Sequence, residues 1–237
     1  MKIFCVVTES HEVLLDQFFK PSIPRDFQLE IYSAPQKGNG NAMDADWLEC
    51  LLFKIRCIQD SIDRNPGEIL IWSDIDIQLF NLTPERVRNE FIRNDSTILF
   101  QRLTRKRPEI CGGFYFLRAT DEAAAFFLEV YKVAQNETSG HDQDAMNLLL
   151  LQRNYPLKWG LLPHQYYART HGFPPPADIA IYHATSISLT NHVGDKIDQL
   201  KEIQWMMANP APRRTILFLR NLPGAIFRRL RGYLARS

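Results

Sequence analysis

The sequence predicts an α/β fold with a mostly parallel sheet flanked by helices, and three observations carry that expectation. Short runs rich in Ile, Val and aromatic residues alternate with longer stretches whose apolar residues recur at helical spacing. Gly, Pro and Asn gather at the junctions, where they break one element from the next. At 237 residues the chain is long enough for one substantial core. Strands that alternate with helices are joined by crossovers, the connectivity of a parallel sheet.

Taken in order, residues 2–8 read as a first strand and 27–32 as a second, followed by the loop Gly38-Asn39-Gly40-Asn41. Trp47, Leu48, Leu51, Leu52, Ile55, Ile58 and Ile62 then repeat at helical spacing and predict a helix over 45–63. Asn65-Pro66-Gly67 stops it. Residues 68–76 form a buried strand that ends in two carboxylates, Asp74 and Asp76. Thr83 caps a short helix with Pro84 in its first turn. Strands over 96–101 and 113–118, helices over 121–135 and 141–151, and strands over 157–162 and 178–182 complete the domain. Neither an internal repeat nor a low-complexity segment is visible, and Pro174-Pro175-Pro176 reads as a stiff loop.

Composition bounds the answer without choosing it. Apolar residues make up 45% and charged residues 23%, near the average of globular proteins, which excludes wholesale disorder and a collagen-like fibre. Cys5, Cys50, Cys57 and Cys111 are scattered with no Cys-x-x-Cys, so buried free thiols are expected rather than a disulfide framework or a zinc site. Free thiols favour a reducing compartment. The opening Met1–Thr8 is strand-like and too short for a signal peptide, and no apolar run approaches the ~20 residues needed to span a bilayer. These features set a cytoplasmic expectation.

Charge is unevenly spread. The net charge is +1, but Arg213, Arg214, Arg220, Arg228, Arg229, Arg231 and Arg236 carry seven positive charges, leaving residues 1–212 at −6. Residues 1–208 are thus expected to form the domain and 209–237 a basic tail. Within the tail Ile226, Phe227, Leu230, Tyr233 and Leu234 share one helical face, with arginines flanking it. A basic amphipathic helix suits an anionic membrane surface. Docking on the acidic body is the alternative. The local placement of the arginines speaks against nucleic acid.

The chemistry concentrates at Asp74 and Asp76. Two residues apart on an extended chain, their side chains project to the same side. They would stand at the carboxyl edge of the sheet, where open α/β folds place ligands. Neighbouring carboxylates repel unless a cation lies between them, so the pair points to a bound divalent metal. The alternative is a solvated turn whose aspartates cap the next element. A haloacid-dehalogenase phosphatase also ends a strand in Asp-x-Asp. Its motif, however, belongs on the first strand with Thr or Val four residues after the first Asp, where this chain has Gln78.

Four segments in order resemble the GT-A glycosyltransferases, the nucleotide-diphospho-sugar transferases that carry an Asp-x-Asp motif. They are Phe53-Lys54-Ile55-Arg56, Ser73-Asp74-Ile75-Asp76, Cys111-Gly112-Gly113-Phe114-Tyr115-Phe116-Leu117-Arg118 and His141-Asp142-Gln143-Asp144-Ala145-Met146-Asn147. Tyr182-His183-Ala184 resembles the histidine that completes the metal site in many such enzymes. The likeness covers roughly residues 1–190. It departs from the family's pattern at Cys111, where related sequences usually carry Asn.

The resemblance implies a transferase using a nucleotide-diphospho-sugar, with UDP-sugar the expected donor and a glycan or glycolipid of the cell surface the acceptor. Asp74, Asp76 and His183 would hold Mn2+ or Mg2+, the imidazole nitrogen leaning toward Mn2+. His192, His171 and His164 are rival ligands. Thr8, Glu9, Lys54, Ser73, Asp74, Gly112 and Gly113 would bind the donor. Asp142 would bind sugar hydroxyls, and Gln143 would face the anomeric carbon. Ordinary alternatives remain for each: a strand-end histidine, a solvated lysine, a glycine bulge, and capping at a helix start. A non-catalytic nucleotide-sugar or glycan-binding module of a membrane-associated complex is the rival reading of the whole chain.

Overall fold

The computed structural model describes residues 1–36, 47–103, 108–136, 141–168, 175, 178–185, 192–209 and 219. The loop at residues 38–41, the cluster Pro174-Pro175-Pro176 apart from Pro175, His171 and the helix expected after Gly224 lie outside these residues. Among the described residues the strands are β1 (Lys2–Val7), β2 (Gln28–Ser33), β3 (Ile69–Ser73), β4 (Ile77–Leu79), β5 (Ile98–Arg102), β6 (Ile110–Arg118), β7 (Trp159–Leu161), β8 (Tyr166–Ala168) and β9 (Ile181–His183). Six of them form a sheet in the order β2-β1-β3-β6-β5-β7, and three form a small second sheet, β4-β9-β8.

The large sheet is mostly parallel, as the alternating pattern predicts. β1 pairs in parallel with β2 and β3, and β5 with β7. β6 runs antiparallel to both β3 and β5. Its reversal has a simple cause: the chain between Arg102 and Ile110 is too short for the crossover of a dozen or more residues that a parallel pair requires.

Period-2 alternation divides the interior in two. Ile3, Cys5, Val7, Ile71, Phe114 and Phe116 point into one core, while Phe4, Leu70, Trp72, Tyr115 and Leu117 point into the other. The second core is covered by α3 (Trp47–Asp63), α5 (Asp121–Asn136) and α6 (Asp142–Asn147). α3 contributes Ile55, Ile58 and Ile62, the apolar stripe seen in the sequence. Over the first core lie α4 (Pro84–Arg93), α7 (His192–Ala208), the small sheet and a helical stretch containing α1 (Glu12–Leu14) and α2 (Lys20–Ser22). α4 begins as predicted, with Thr83 Oγ1 accepting from Arg86 N at 3.1 Å.

Three features depart from the sequence reading. The stretch between β1 and β2 is helical, but it passes from a 3-10 turn through α1 and a π turn (Leu15–Phe19) to α2. Its apolar residues therefore never settle into one period. The helix expected over 141–151 is regular only to Asn147 and continues as a π turn, Leu148–Gln152. Finally, α7 and the short strands β4 and β8 have no counterpart in the sequence reading. All four cysteines are free, and three of them are buried. Among the described residues no helix is long and apolar enough to cross a membrane.

Candidate active site

The carboxyl ends of β1 and β3 and the start of β6 meet at one edge of the sheet, and a cleft of about 580 Å3 opens there. Asp74 follows the last residue of β3, and its N–H donates to Gly113 O at 2.7 Å, so the backbone pairing continues one residue beyond the strand. Ile75 and Asp76 then form a turn. This corrects the expected geometry: the two carboxylates converge through a turn rather than through the alternation of an extended strand. Ile75, buried between them, anchors that turn in the first core.

His183 arrives from more than a hundred residues away through the small sheet. Ile77 of β4 lies opposite His183 of β9, and Ala184 N–H donates to Asp76 O at 3.0 Å. Backbone pairing thus fixes the imidazole beside the second carboxylate. One ligand atom each from Asp74, Asp76 and His183 falls within 4.8 Å of the others. Asp76 Oδ1 is buried 3.2 Å from His183 Nε2, its one close polar partner among the described residues. A buried carboxylate oxygen with a single long contact is poorly compensated. A cation between the oxygen and the ring would satisfy it, and the O,O,N donor set suits Mn2+ or Mg2+.

Two lysines balance the acidic groups. Lys54, on α3, reaches Asp74 Oδ1 and Asp142 Oδ2, each at 2.9 Å. Its Nζ also donates to Gly112 O at 3.3 Å. Burial works against its charge, but Asp142 and Asp74 outweigh burial and hold the ammonium above its ordinary range. Lys196, on α7, lies 2.7 Å from Asp76 Oδ2. Burial would raise the Asp76 carboxyl, and Lys196 with His183 reverses that, keeping it below the usual carboxylate range. Asp74 is displaced the other way, by burial first and then by Asp76 and Asp142, with Lys54 opposing. His183 is lifted well above its normal value by Asp76 despite its burial.

The expected site residues do not all converge. Thr8, Lys54, Asp74, Asp76, Gly112, Gly113, Asp142, Gln143 and His183 line the cleft. Glu9 is exposed and does not line it. Ser73 is fully buried, and its hydroxyl donates to Asp74 O at 2.9 Å, so it shapes the turn instead of facing a ligand. Of the rival histidines, His192 lines the cleft and His164 does not. Gln143 Oε1 accepts from Gly112 N at 3.2 Å, and its amide NH2 meets no acceptor among the described residues. Asp142 accepts from Gln143 N at 2.9 Å and faces Lys54 with its other oxygen.

Several cleft residues are not expected at the site from the sequence: His11, Gln36, Thr185 and Lys196, with Trp47 and His141 read there only within a helix and a motif. His11 Nδ1 lies 2.9 Å from Thr8 Oγ1 and 2.8 Å from Ser10 Oγ. Burial, then Lys196, push it down to about 4, so it is a neutral ring. Trp47 and His141 meet edge to face, 5.8 Å between centroids. The aromatic Trp47 was legible only as the first apolar residue of a helix, and Lys196 carries no local signal at all.

Comparison with known proteins agrees with this geometry. The sequence matches the nucleotide-diphospho-sugar transferase family over residues 29–200, and the chain belongs to that family. No curated protein matches the sequence. The fold is that of the GT-A glycosyltransferases. The glycosyltransferase GlyE of Streptococcus pneumoniae TIGR4 superposes with a TM-score of 0.57 at 11% identity, over 95% of this chain and 64% of GlyE. The chain therefore spans 64% of the length of that neighbour. A glycosyltransferase involved in glycosylation of the major capsid of PBCV-1 gives 0.55 at 11% identity, over 84% of this chain and 98% of its own. The galactosyltransferase LgtC, in complex with donor and acceptor sugar analogues, gives 0.53 at 10% identity, over 91% and 99%.

Gly113 supplies the clearest test of how the site is held open. A Cβ there would lie 2.4 Å from His183 Cε1 and 2.8 Å from Asp74 Oδ2. Gly113→Ala is expected to destabilise the protein by about 1–3 kcal/mol through overpacking, read as a fall of several degrees in Tm. An unchanged Tm would contradict this packing.

Proposed function

We propose that this protein is a metal-dependent glycosyltransferase that moves a sugar from a nucleotide-diphospho-sugar, a UDP-sugar, to a glycan or glycolipid acceptor. The observation that carries the reading is the convergence of Asp74, Asp76 and His183, with a buried Asp76 oxygen facing the imidazole, in the cleft of a chain from this family. Asp74, Asp76 and His183 would hold Mn2+ or Mg2+. When bound, the ion would neutralise the charge that builds on the diphosphate as the sugar departs.

The remaining residues bind and orient. Thr8 stands at the end of β1, the usual place for the nucleoside, and the neutral His11 ring lies beside it. Lys54 holds Asp74 and Asp142 in fixed positions from one ammonium, so the metal side and the sugar side of the cleft are coupled through a single side chain. Gly112 and Gly113 let the backbone approach the donor sugar closely. Asp142 accepts sugar hydroxyls, and Gln143 offers its NH2 to oxygen atoms near the anomeric carbon. Trp47 and His141 provide an aromatic edge on which the apolar face of a sugar ring can rest.

Residues 1–208 form the transferase domain in this reading, and 209–237 a basic segment that brings it to the inner face of a membrane. An acceptor made there, for a surface polysaccharide or lipopolysaccharide, accords with seven arginines set against an acidic body. Sedimentation of the full chain with anionic phosphatidylglycerol vesicles, but not with neutral phosphatidylcholine vesicles, is the expected result; equal behaviour with both removes the membrane assignment.

A thermal-shift screen of nucleotide sugars with and without Mn2+ tests the donor and the metal together. At a ligand concentration ~100 times Kd the folded state gains ~2.7 kcal/mol. For a chain of this size that raises Tm by about 5–10 °C. The rise is expected with a UDP-sugar plus Mn2+ and is expected to shrink sharply when Mn2+ is chelated. An equal rise without metal, or none with any nucleotide sugar, contradicts the proposal.

A further inference from the structure

The large sheet places an amide where packing alone would take a hydrocarbon. Gln101 is fully buried on β5, next to a register shift between Phe100 and Gln101 in the pairing with β6. Leu99, two residues before it, and Tyr166, whose carbonyl it meets, belong to the first core. A buried carboxamide among such residues is unfavourable unless its hydrogen bonds are made. Both are made. Nε2 lies 3.4 Å from Tyr166 O, and Oε1 lies 2.8 Å from His183 Nδ1.

These two contacts determine one another. A backbone carbonyl can only accept, so the nitrogen of the Gln101 amide must face Tyr166. The amide oxygen is left for the imidazole, and it too can only accept. His183 Nδ1 must therefore carry the proton. The Cys111 sulfur lies farther from the same nitrogen, at 3.6 Å, and is a weak partner. With Nδ1 protonated, the lone pair of a neutral ring resides on Nε2, the atom that faces Asp76 Oδ1.

We propose that Gln101 is the positioning residue that fixes the tautomer and orientation of His183, presenting Nε2 to the cation shared with Asp74 and Asp76. The inference rests on the metal site proposed above. It assigns a role to a residue that touches neither substrate nor metal and that does not itself line the cleft. Outer partners of this kind raise the basicity of a metal-bound histidine and hold its ring, and losing one typically weakens metal binding 10–100-fold. Gln101 also links β5 to β9 through side chains, so the small sheet that delivers His183 is tied to the large one at the ligand itself.

The test uses the full chain and Mn2+ alone, with free Mn2+ followed by electron paramagnetic resonance. Gln101→Met keeps the volume and removes both hydrogen bonds. It is expected to weaken Mn2+ binding by about 10–100-fold, whereas Gln101→Glu, whose carboxylate can still accept from Nδ1, is expected to retain more of the affinity. Nitrogen-15 NMR of the wild-type side chain with diamagnetic Mg2+ bound should show His183 protonated at Nδ1 and not at Nε2. Unchanged Mn2+ affinity in a folded Gln101→Met protein overturns the proposal alone. So does a proton on Nε2 with Nδ1 bare, which decides the matter even where the Met variant fails to fold. A wild-type chain that binds neither Mn2+ nor Mg2+ overturns the metal reading itself and this proposal with it.

Discussion

Three carboxylates at one edge of a sheet constrain everything around them. Unit charges ~4 Å apart interact by about 4 kcal/mol at an effective dielectric constant of ~20, so Asp74, Asp76 and Asp142 cannot share a cleft uncompensated. Lys54 answers two of them and Lys196 the third. Those lysines come from helices on opposite faces of the sheet, α3 and α7. Electrostatic balance at the cleft thus ties together the two layers of helices that cover the two cores. Because the acidic groups lie close together, the proposed divalent cation would complete this arrangement instead of disturbing it.

Side-chain chemistry rests here on backbone pairing. Asp74 is held by Gly113, and Asp76 by Ala184, each through a main-chain hydrogen bond. The same two partners bring in the glycine that leaves room for His183 and the strand that carries it. A short antiparallel pairing, β4 with β9, converts a separation of more than a hundred residues into a 3.2 Å contact. The fold also explains why β6 reverses: it returns the Gly112-Gly113 end to the same edge as the carboxyl ends of β1 and β3. The candidate donor-binding and metal-binding groups then converge on one cleft, in keeping with membership of the nucleotide-diphospho-sugar transferases.

Much of this was legible in the sequence because it is written locally. The alternation in β1, β3 and β6, the stripe on α3 and the cap at Thr83 depend on residues a few positions apart. Asp74, Asp76 and His183 could be singled out because each ends or borders a strand-like run. What could not be read depends on long-range geometry. Lys196 is a plain helix lysine until α7 packs against the first core, and Gln101 is an ordinary strand glutamine until β9 arrives. The helical stretch after β1 mixes three helical periods, so no single periodicity reveals it. Ser73 and Glu9 look like cleft residues by position, but Ser73 turns inward to Asp74 O and Glu9 outward.

The most direct measurement is the anomalous X-ray signal of Mn2+ in crystals of the full chain soaked with MnCl2 and UDP, with data collected near the manganese edge. A single strong peak within coordination distance of Asp74, Asp76 and His183 Nε2 is the expected result. No peak there, or a peak bound elsewhere while Lys196 and Lys54 still hold the carboxylates, would contradict a metal-centred cleft.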